Sequence, residues 1–92
     1  MDITVKVFAT IRTVMPAETR CDVADGSTIA DLLAILGKMY PGLAQELFSD
    51  KGILRQYVNI LQNGRNIAHL QGLETPLHTG DLIAIFPPAA GG

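Results

Sequence analysis

The end of the sequence carries the residues best suited to chemistry on a partner protein. Two glycines follow two prolines and two alanines, so the last six residues form a narrow segment without any large side chain. Glycine lacks a Cβ atom and adopts unusual backbone angles, which allows such a segment to enter a confined site. Fully extended, residues 87–92 reach roughly 20 Å at about 3.3 Å per residue. We therefore predict that they present the terminal carboxylate of Gly92 to another protein. The segment comprises Pro87, Pro88, Ala89, Ala90, Gly91 and Gly92.

Other side chains with nucleophilic or metal-binding chemistry are few and isolated. Cys21 is the one cysteine, and its alternation with Thr19 and Val23 predicts a buried position, where free cysteines usually lie. His69 and His78 lie in predicted loops without the cysteine or carboxylate spacing of a metal site. The sequence contains no phosphate-binding loop and no nucleophile–base motif. We expect a chain that turns over no substrate alone, with no resident metal and no bound cofactor.

Length and composition exclude several classes of protein. The 92 residues favour one domain with a modest core, and 48% hydrophobic content argues against disorder. Seven basic and nine acidic residues give a net charge of −2 without a basic run, which argues against nucleic-acid binding. The N-terminal residues do not resemble a signal peptide, and no apolar run approaches the ~20 residues of a membrane span. We expect a soluble, cytoplasmic protein.

The first half of the sequence predicts two strands and a helix. Alternating apolar residues over 3–8 and 19–23 are typical of strands that pair as a hairpin across a longer loop. We expect Arg12 to end the first strand. Thr28 and Asp31 form a capping-box pattern, and an apolar stripe at helical spacing follows them. Tyr40-Pro41-Gly42 ends the helix, and a short second helical turn follows.

The second half predicts three more strands. Residues 57–61 form a third strand, Asn63-Gly64 is a hairpin turn signal, and residues 65–67 return as a short fourth strand. Leu82–Phe86 is an unbroken apolar run typical of a buried central strand. The first and last strands are the most apolar, so we expect them in the centre, parallel and adjacent. This is an α+β, β-grasp (ubiquitin-like) fold with a mixed four- to five-stranded sheet and one main helix on one face. We predict a domain over residues 1–86 and a flexible tail over residues 87–92.

One face of this sheet is left uncovered by the helix. Strand alternation places Phe86 with Ala84 and Leu82 on one face, and it offsets Phe8 from the inward residues of the first strand. We predict that Phe8 and Phe86 lie on the uncovered face and dock partner enzymes, because exposed aromatic anchors often dominate interfaces. The alternative is that both only cap the core. Arg12 either pairs with an acidic group on the partner or is simply solvated.

Three segments together resemble the MoaD/ThiS family of ubiquitin-like sulfur carriers. They are residues 5–12 (Val-Lys-Val-Phe-Ala-Thr-Ile-Arg), residues 28–33 (Thr-Ile-Ala-Asp-Leu-Leu) and residues 81–88 (Asp-Leu-Ile-Ala-Ile-Phe-Pro-Pro) followed by the terminal Gly-Gly. The resemblance implies that a ubiquitin-activating-type enzyme uses ATP to adenylate the carboxylate of Gly92, which is then converted to a thiocarboxylate. It further implies a sulfur-accepting partner, such as the large subunit of molybdopterin synthase.

The destination of the sulfur stays open at this point. Molybdopterin biosynthesis is our first expectation, with the chain as a small non-catalytic subunit of the synthase. The predicted hairpin over residues 57–67 also resembles carriers that serve cysteine synthesis and the archaeal ubiquitin-like modifiers. The alternatives are therefore sulfur transfer to cysteine, homocysteine or the thiazole of thiamin, and conjugation of Gly92 to lysines of other proteins. A last alternative is an interaction module whose tail is inert.

Overall fold

The computed structural model describes residues 1–87, in which a five-stranded mixed sheet carries one main helix on one face. The sheet order is β2-β1-β5-β3-β4, where β1 and β5 run parallel and the other pairs run antiparallel. This arrangement confirms the predicted β-grasp fold. The strands are β1 (Asp2–Val7), β2 (Glu18–Asp22), β3 (Asn59–Gln62), β4 (Arg65–Asn66) and β5 (Leu82–Phe86). The helices are α1 (Ile29–Met39) and α2 (Leu43–Leu47), with 3₁₀ helices at Ala9–Thr13, Ile67–His69 and Gly72–Glu74.

The core lies between α1 and the inner face of the two central strands. Alternate residues of β1 and β5 point inward and are buried, and α1 covers them with its apolar stripe. Each fully buried aliphatic side chain contributes roughly 1.5–3 kcal/mol, so this layer supplies most of the driving force for folding. These residues are Ile3, Val5, Val7, Ile83 and Ile85 from the strands and Ile29, Leu32, Leu33 and Leu36 from α1.

The apolar residues of β5 lie on both faces of the sheet. As predicted, β5 is central, but only Ile83 and Ile85 are buried. Leu82 is 37% exposed, and Ala84 and Phe86 are half-buried. The buried part of β5 is therefore the face that α1 covers, and the predicted uncovered face carries Leu82, Ala84 and Phe86. The apolar residues on the other face are left available for contacts outside the chain.

Local signals set the ends of α1 as predicted. The Oγ1 of Thr28 accepts a hydrogen bond from the backbone N–H of Asp31 at 3.3 Å, and Asp31 Oδ2 accepts one from the N–H of Thr28 at 2.9 Å. This reciprocal pair satisfies two donors that the first helical turn would leave unpaired. The helix ends before Tyr40, and Pro41 follows because its ring prevents continuation.

The first strand is shorter than its sequence suggests. The prediction that Arg12 ends the first strand is wrong: β1 ends at Val7, and Arg12 lies in the 3₁₀ helix Ala9–Thr13. Ala9 has a φ angle of +53°, which turns the chain sharply after β1. The turn brings Ile11 into the core, where its exposure is 0%. The free energy gained by burying Ile11 thus outweighs the local preference for extended structure.

The second hairpin has the predicted turn and shorter strands. Asn63 and Gly64 have φ angles of +50° and +85°, as a type I′ turn requires. β3 begins at Asn59 and excludes Tyr57, whose φ of +75° is incompatible with a strand. β4 ends before Ile67, which enters a 3₁₀ helix and is buried. The predicted strand over 57–61 therefore starts two residues too early, and the one over 65–67 ends one residue too late.

A buried carboxylate ties this hairpin to the start of β5. Asp81 is 6% exposed, and its Oδ2 accepts hydrogen bonds from Gln62 Nε2 and the His78 backbone N–H, both at 2.8 Å. Its Oδ1 accepts one from Asn63 Nδ2 at 2.9 Å. Burial alone would raise the pKa of Asp81, but these hydrogen bonds and the nearby His78 ring outweigh it and hold that pKa below its ordinary value. Asp81 therefore stabilises the fold in its ionised form.

Replacing this carboxylate tests its contribution to stability. Asp81→Asn is expected to lower the free energy of unfolding by about 1–3 kcal/mol at pH 7, because an amide cannot accept all three hydrogen bonds. The stabilisation by Asp81 is complete above the unfolded pKa of about 3.9 and is lost as the pH falls through the lower folded pKa. The deficit should consequently shrink at pH 3 when urea denaturation is compared at both pH values. The exposed control Asp50→Asn should show no comparable deficit at either pH.

Candidate functional site

Two phenylalanine rings stack at the end of the sheet where β1 and β5 both finish. Because the strands are parallel and Val7 pairs with Ile85, the next residues, Phe8 and Phe86, come side by side. Their ring centroids are 4.3 Å apart and the ring planes differ by 7°. Stacked aromatic pairs contribute about 0.5–1.5 kcal/mol beyond the area they bury. Both rings remain half-buried, so the pair keeps an accessible surface.

Arg12 lies against this pair through two interactions. Its guanidinium carbon is 5.2 Å from the centroid of the Phe8 ring, which is within the range of a cation–π contact. Its Nε donates a hydrogen bond to the backbone carbonyl of Val7 at 2.9 Å. Arg12 itself is exposed and forms no ion pair within residues 1–87. The two contacts fix the orientation of the guanidinium against the stacked pair.

The stacked pair continues into an apolar strip along the uncovered face of the sheet. Leu82, Ala84 and Phe86 follow one another along β5, and Leu61 lies beside Ala84 on β3. We call these four residues and Phe8 the apolar strip. Exposed apolar side chains that are contiguous in this way commonly mark a protein-binding surface.

Charged pairs border the apolar strip on the β2 side. Lys6 Nζ lies 3.7 Å from Glu18 Oε1, and Arg20 Nη2 lies 2.6 Å from Asp2 Oδ2. All four side chains are well exposed, and such pairs add little to stability. They give the apolar strip a polar border on this side, as polar rims border the apolar centres of many interfaces.

The predicted tail begins directly at this surface. Pro87 follows Phe86, is half-buried, and is the last residue that the structure describes. The other residues predicted to act with it lie outside the described part of the chain, so their roles stay predictions. They are Pro88, Ala89, Ala90, Gly91 and Gly92.

Two residues at or just before the start of β3 were not anticipated from the sequence. Asn59 pairs with Phe86 across β3 and β5, and its Oδ1 accepts a hydrogen bond from Asn66 Nδ2 at 3.2 Å. Tyr57 precedes Asn59 by two residues and is 68% exposed. The alternating pattern marks Asn59 as outward-facing, but only the strand register shows that it lies beside Phe86. Nothing in the local sequence signals the exposure of Tyr57.

The rival reactive side chains offer little chemistry. Cys21 is 6% exposed, as predicted, and burial raises the pKa of its thiol, which disfavours the nucleophilic thiolate. His78 lies 3.9 Å from the carboxylate of Asp81, and His69 ends a 3₁₀ helix. Within residues 1–87, no three histidine, cysteine or acidic side chains come together in a way that could hold a metal ion. No helix of this part of the chain is long and apolar enough to cross a membrane.

Known proteins resemble the chain over most or all of its length. The ThiS family profile matches residues 5–92. Small archaeal modifier protein 3 of Haloferax volcanii is 41% identical over 95 residues, which cover 100% of both chains. A putative sulfur carrier protein of Archaeoglobus fulgidus is 33% identical over 69 residues, which cover 75% of this chain and 78% of that protein. The crystal structure of SAMP1 from Haloferax volcanii matches with a TM-score of 0.88 and 33% identity, covering 100% of both chains.

Proposed function

Because the chain belongs to the ThiS family of ubiquitin-like proteins, we propose that it is a carrier whose Gly92 carboxylate is activated by a partner enzyme. The observation that carries the proposal is the stacked pair of Phe8 and Phe86 at the end of the strand that leads to Gly91 and Gly92. An aromatic surface at this position can hold the folded domain against an enzyme while the last glycine enters the enzyme's site. The chain is thus a co-substrate and not itself a catalyst.

Activation of Gly92 follows from the chemistry of a carboxylate. A carboxylate is a poor electrophile, so an oxygen of Gly92 first attacks the α-phosphate of ATP in the enzyme, forming an acyl-adenylate and releasing pyrophosphate. Hydrosulfide can then attack the carbonyl carbon and displace AMP, which leaves a thiocarboxylate. Alternatively, a lysine amine can take the acyl group, directly or through an enzyme thioester, to form an isopeptide bond. One activated terminus therefore serves both outcomes.

The similarities to known proteins weigh on the choice between these outcomes. Whole-length similarity to a small archaeal modifier supports conjugation of Gly92 to lysines, and similarity to a putative sulfur carrier supports the thiocarboxylate. We propose that the chain serves as a small modifier and as a sulfur carrier. Molybdopterin as the destination of the sulfur stays a prediction, as do cysteine, homocysteine and the thiazole of thiamin.

Two classes of partner follow from the proposal. The first is a ubiquitin-activating-type enzyme that binds ATP, and the second is an enzyme that accepts the sulfur or the whole chain. Phe8 and Phe86 would supply the apolar contact with both, and Arg12 would pair with an acidic group beside it. The tail residues before the two glycines would occupy the channel that leads to the enzyme's active site. They are Pro87, Pro88, Ala89 and Ala90.

Intact mass spectrometry tests the sulfur-carrying role. After incubation with its activating enzyme, ATP and a sulfide donor, the chain is expected to gain about 16 Da, as sulfur replaces one oxygen of the carboxylate. Omission of ATP is the control and should leave the mass unchanged. A chain whose mass never shifts in the complete mixture would contradict the sulfur-carrying role.

Conjugation requires a separate measurement. Trypsin cuts last before the tail after Arg65, so a modified lysine should carry residues 66–92 as a branch. This branch is expected in tryptic digests of cells that express the wild-type chain, and it should be lost from cells that express a chain without Gly92. If no branched peptide is found in either digest, the modifier role is contradicted and the sulfur role is judged by the mass shift alone.

A further inference from the structure

Tyr57 is an exposed aromatic residue two positions before the beginning of β3. Four large hydrophobic side chains of residues 1–87 are exposed: Met39 at 51%, Ile53 at 64%, Tyr57 at 68% and Leu82 at 37%. Tyr57 is the most exposed of them and the one aromatic residue. Burial of its ring in an interface would remove a large apolar area from water, and tyrosine is among the residues most enriched in such interfaces.

The strand register brings the start of β3, which follows Tyr57 closely in the chain, beside the last residue of β5. Asn59 pairs with Phe86, the last residue of β5, and Tyr57 lies two residues before Asn59. The Nδ2 of Asn59 donates a long hydrogen bond of 3.4 Å to the carbonyl oxygen of Tyr57, which links the two positions. Tyr57 therefore lies on the β3 side of the point where the chain leaves β5, whereas Phe8 lies on the β1 side.

The backbone of Tyr57 is strained. Its φ of +75° is rare for a bulky side chain and is adopted without cost by glycine. Of the three such non-glycine residues in residues 1–87, Asn63 is explained by its hairpin turn. Ala9 is explained by the turn that buries Ile11, and Tyr57 is the third. Strained residues of this kind tend to occur at functional sites.

We propose that Tyr57 forms the second side of the docking surface and contacts the activating enzyme when Gly92 enters its site. This inference rests on the proposed function, and it extends the docking surface from the apolar strip to the residues that precede β3. The matching surface of the enzyme would be an apolar pocket that accepts the flat ring. Contacts on both sides of the end of β5 would align the tail with the entrance of the enzyme's active site. With Phe8 and Phe86 as the only contacts, the domain could still rotate on the enzyme.

The strain at Tyr57 allows a test that separates binding from folding. Tyr57→Gly removes the ring and relieves the backbone, so its melting temperature should equal or exceed that of the wild type. We expect kcat/KM for adenylation to fall about tenfold, mainly through KM, since one interfacial aromatic contact is lost. Tyr57→Phe keeps the ring and should stay within about threefold of the wild type. Ile53→Ala removes an equally exposed side chain from the same loop and should leave kcat/KM unchanged.

Each result is decisive. The proposal is overturned if Tyr57→Gly is adenylated normally, if Ile53→Ala loses as much, or if Tyr57→Phe is as poor as the glycine variant. In all three cases, adenylation of the wild-type chain would still support the proposed function. A wild-type chain that the enzyme does not adenylate overturns both proposals.

Discussion

Removal of Gly91 and Gly92 is expected to abolish thiocarboxylate formation and conjugation while leaving the stability of the domain unchanged. The truncated chain ends at Ala90, so its carboxylate stops two residues before the position that the carboxylate of Gly92 would reach. This gap is roughly 7 Å at about 3.3 Å per residue. The carboxylate and ATP react only when the enzyme holds them within a small fraction of that distance. We therefore expect the rate of adenylation to fall at least about 100-fold. The described core lies between Ile3 and Ile85, so the melting temperature should stay within about 2 °C.

A second variant distinguishes reach from shape. Gly92→Ala keeps the length of the chain and its carboxylate but adds a Cβ atom at the last residue. We expect it to be activated more slowly than the wild type and faster than the truncated chain, because the enclosed site has little room beside the carboxylate. Activation of the truncated chain at the wild-type rate would contradict any role for the terminal glycines.

Phe86→Ala is expected to weaken activation about 30-fold, mostly through KM. Truncation of a central aromatic anchor commonly costs about 2 kcal/mol of binding energy. The ring of Phe86 also stacks on Phe8, so its loss should lower the free energy of unfolding by about 1–2 kcal/mol. Kinetics should therefore be measured well below the melting temperature, with the folded fraction checked by circular dichroism.

Leu82→Ala is the matched control for this variant. Leu82 lies on the same face of the same strand but at its opposite end, and it is 37% exposed. Its loss should change kcat/KM by no more than about threefold, because Leu82 lies at the end of the apolar strip farthest from the stacked pair, and contacts away from the centre of an interface contribute little to binding. Equal losses for Leu82→Ala and Phe86→Ala would contradict a surface centred on the stacked pair. Normal kinetics for Phe86→Ala would contradict its role altogether.

Much of the fold follows from signals that act over a few residues. The Thr28–Asp31 pair caps α1, and Asn63-Gly64 turns the second hairpin, because each needs contacts only with its near neighbours. The parallel pairing of β1 and β5 follows from their apolar composition, since the most apolar strands gain most from central positions. Long-range arrangement is thus accessible here because composition and handedness leave few alternatives.

Two of the wrong predictions share a physical cause. Ala9 adopts a positive φ because the chain must turn to bury Ile11, and β4 is short because Ile67 also turns into the core. In both places a buried aliphatic side chain outweighs a local preference for extended structure. Such competition depends on the completed core, which the alternating pattern of a single strand does not report.

The candidate site was predictable in its residue types and less so in its geometry. Alternation places Phe8 and Phe86 on the uncovered face, but their stacking depends on the register of β1 against β5. The positions of Asn59 and Tyr57 depend in the same way on the register of β3 against β5. Register is set by pairing between distant segments, so a single sequence shows these neighbours only after the sheet is known.

Adenylation of Gly92 is the claim on which both proposed outcomes depend, and ATP–pyrophosphate exchange measures it most directly. The activating enzyme is incubated with ATP and labelled pyrophosphate, with the wild-type chain or with the chain that lacks Gly91 and Gly92. Exchange that rises with the concentration of the wild-type chain, and stays at background with the truncated chain, is the predicted result. Exchange that is no faster with the wild-type chain than without it, or that is undiminished after truncation, would contradict the account.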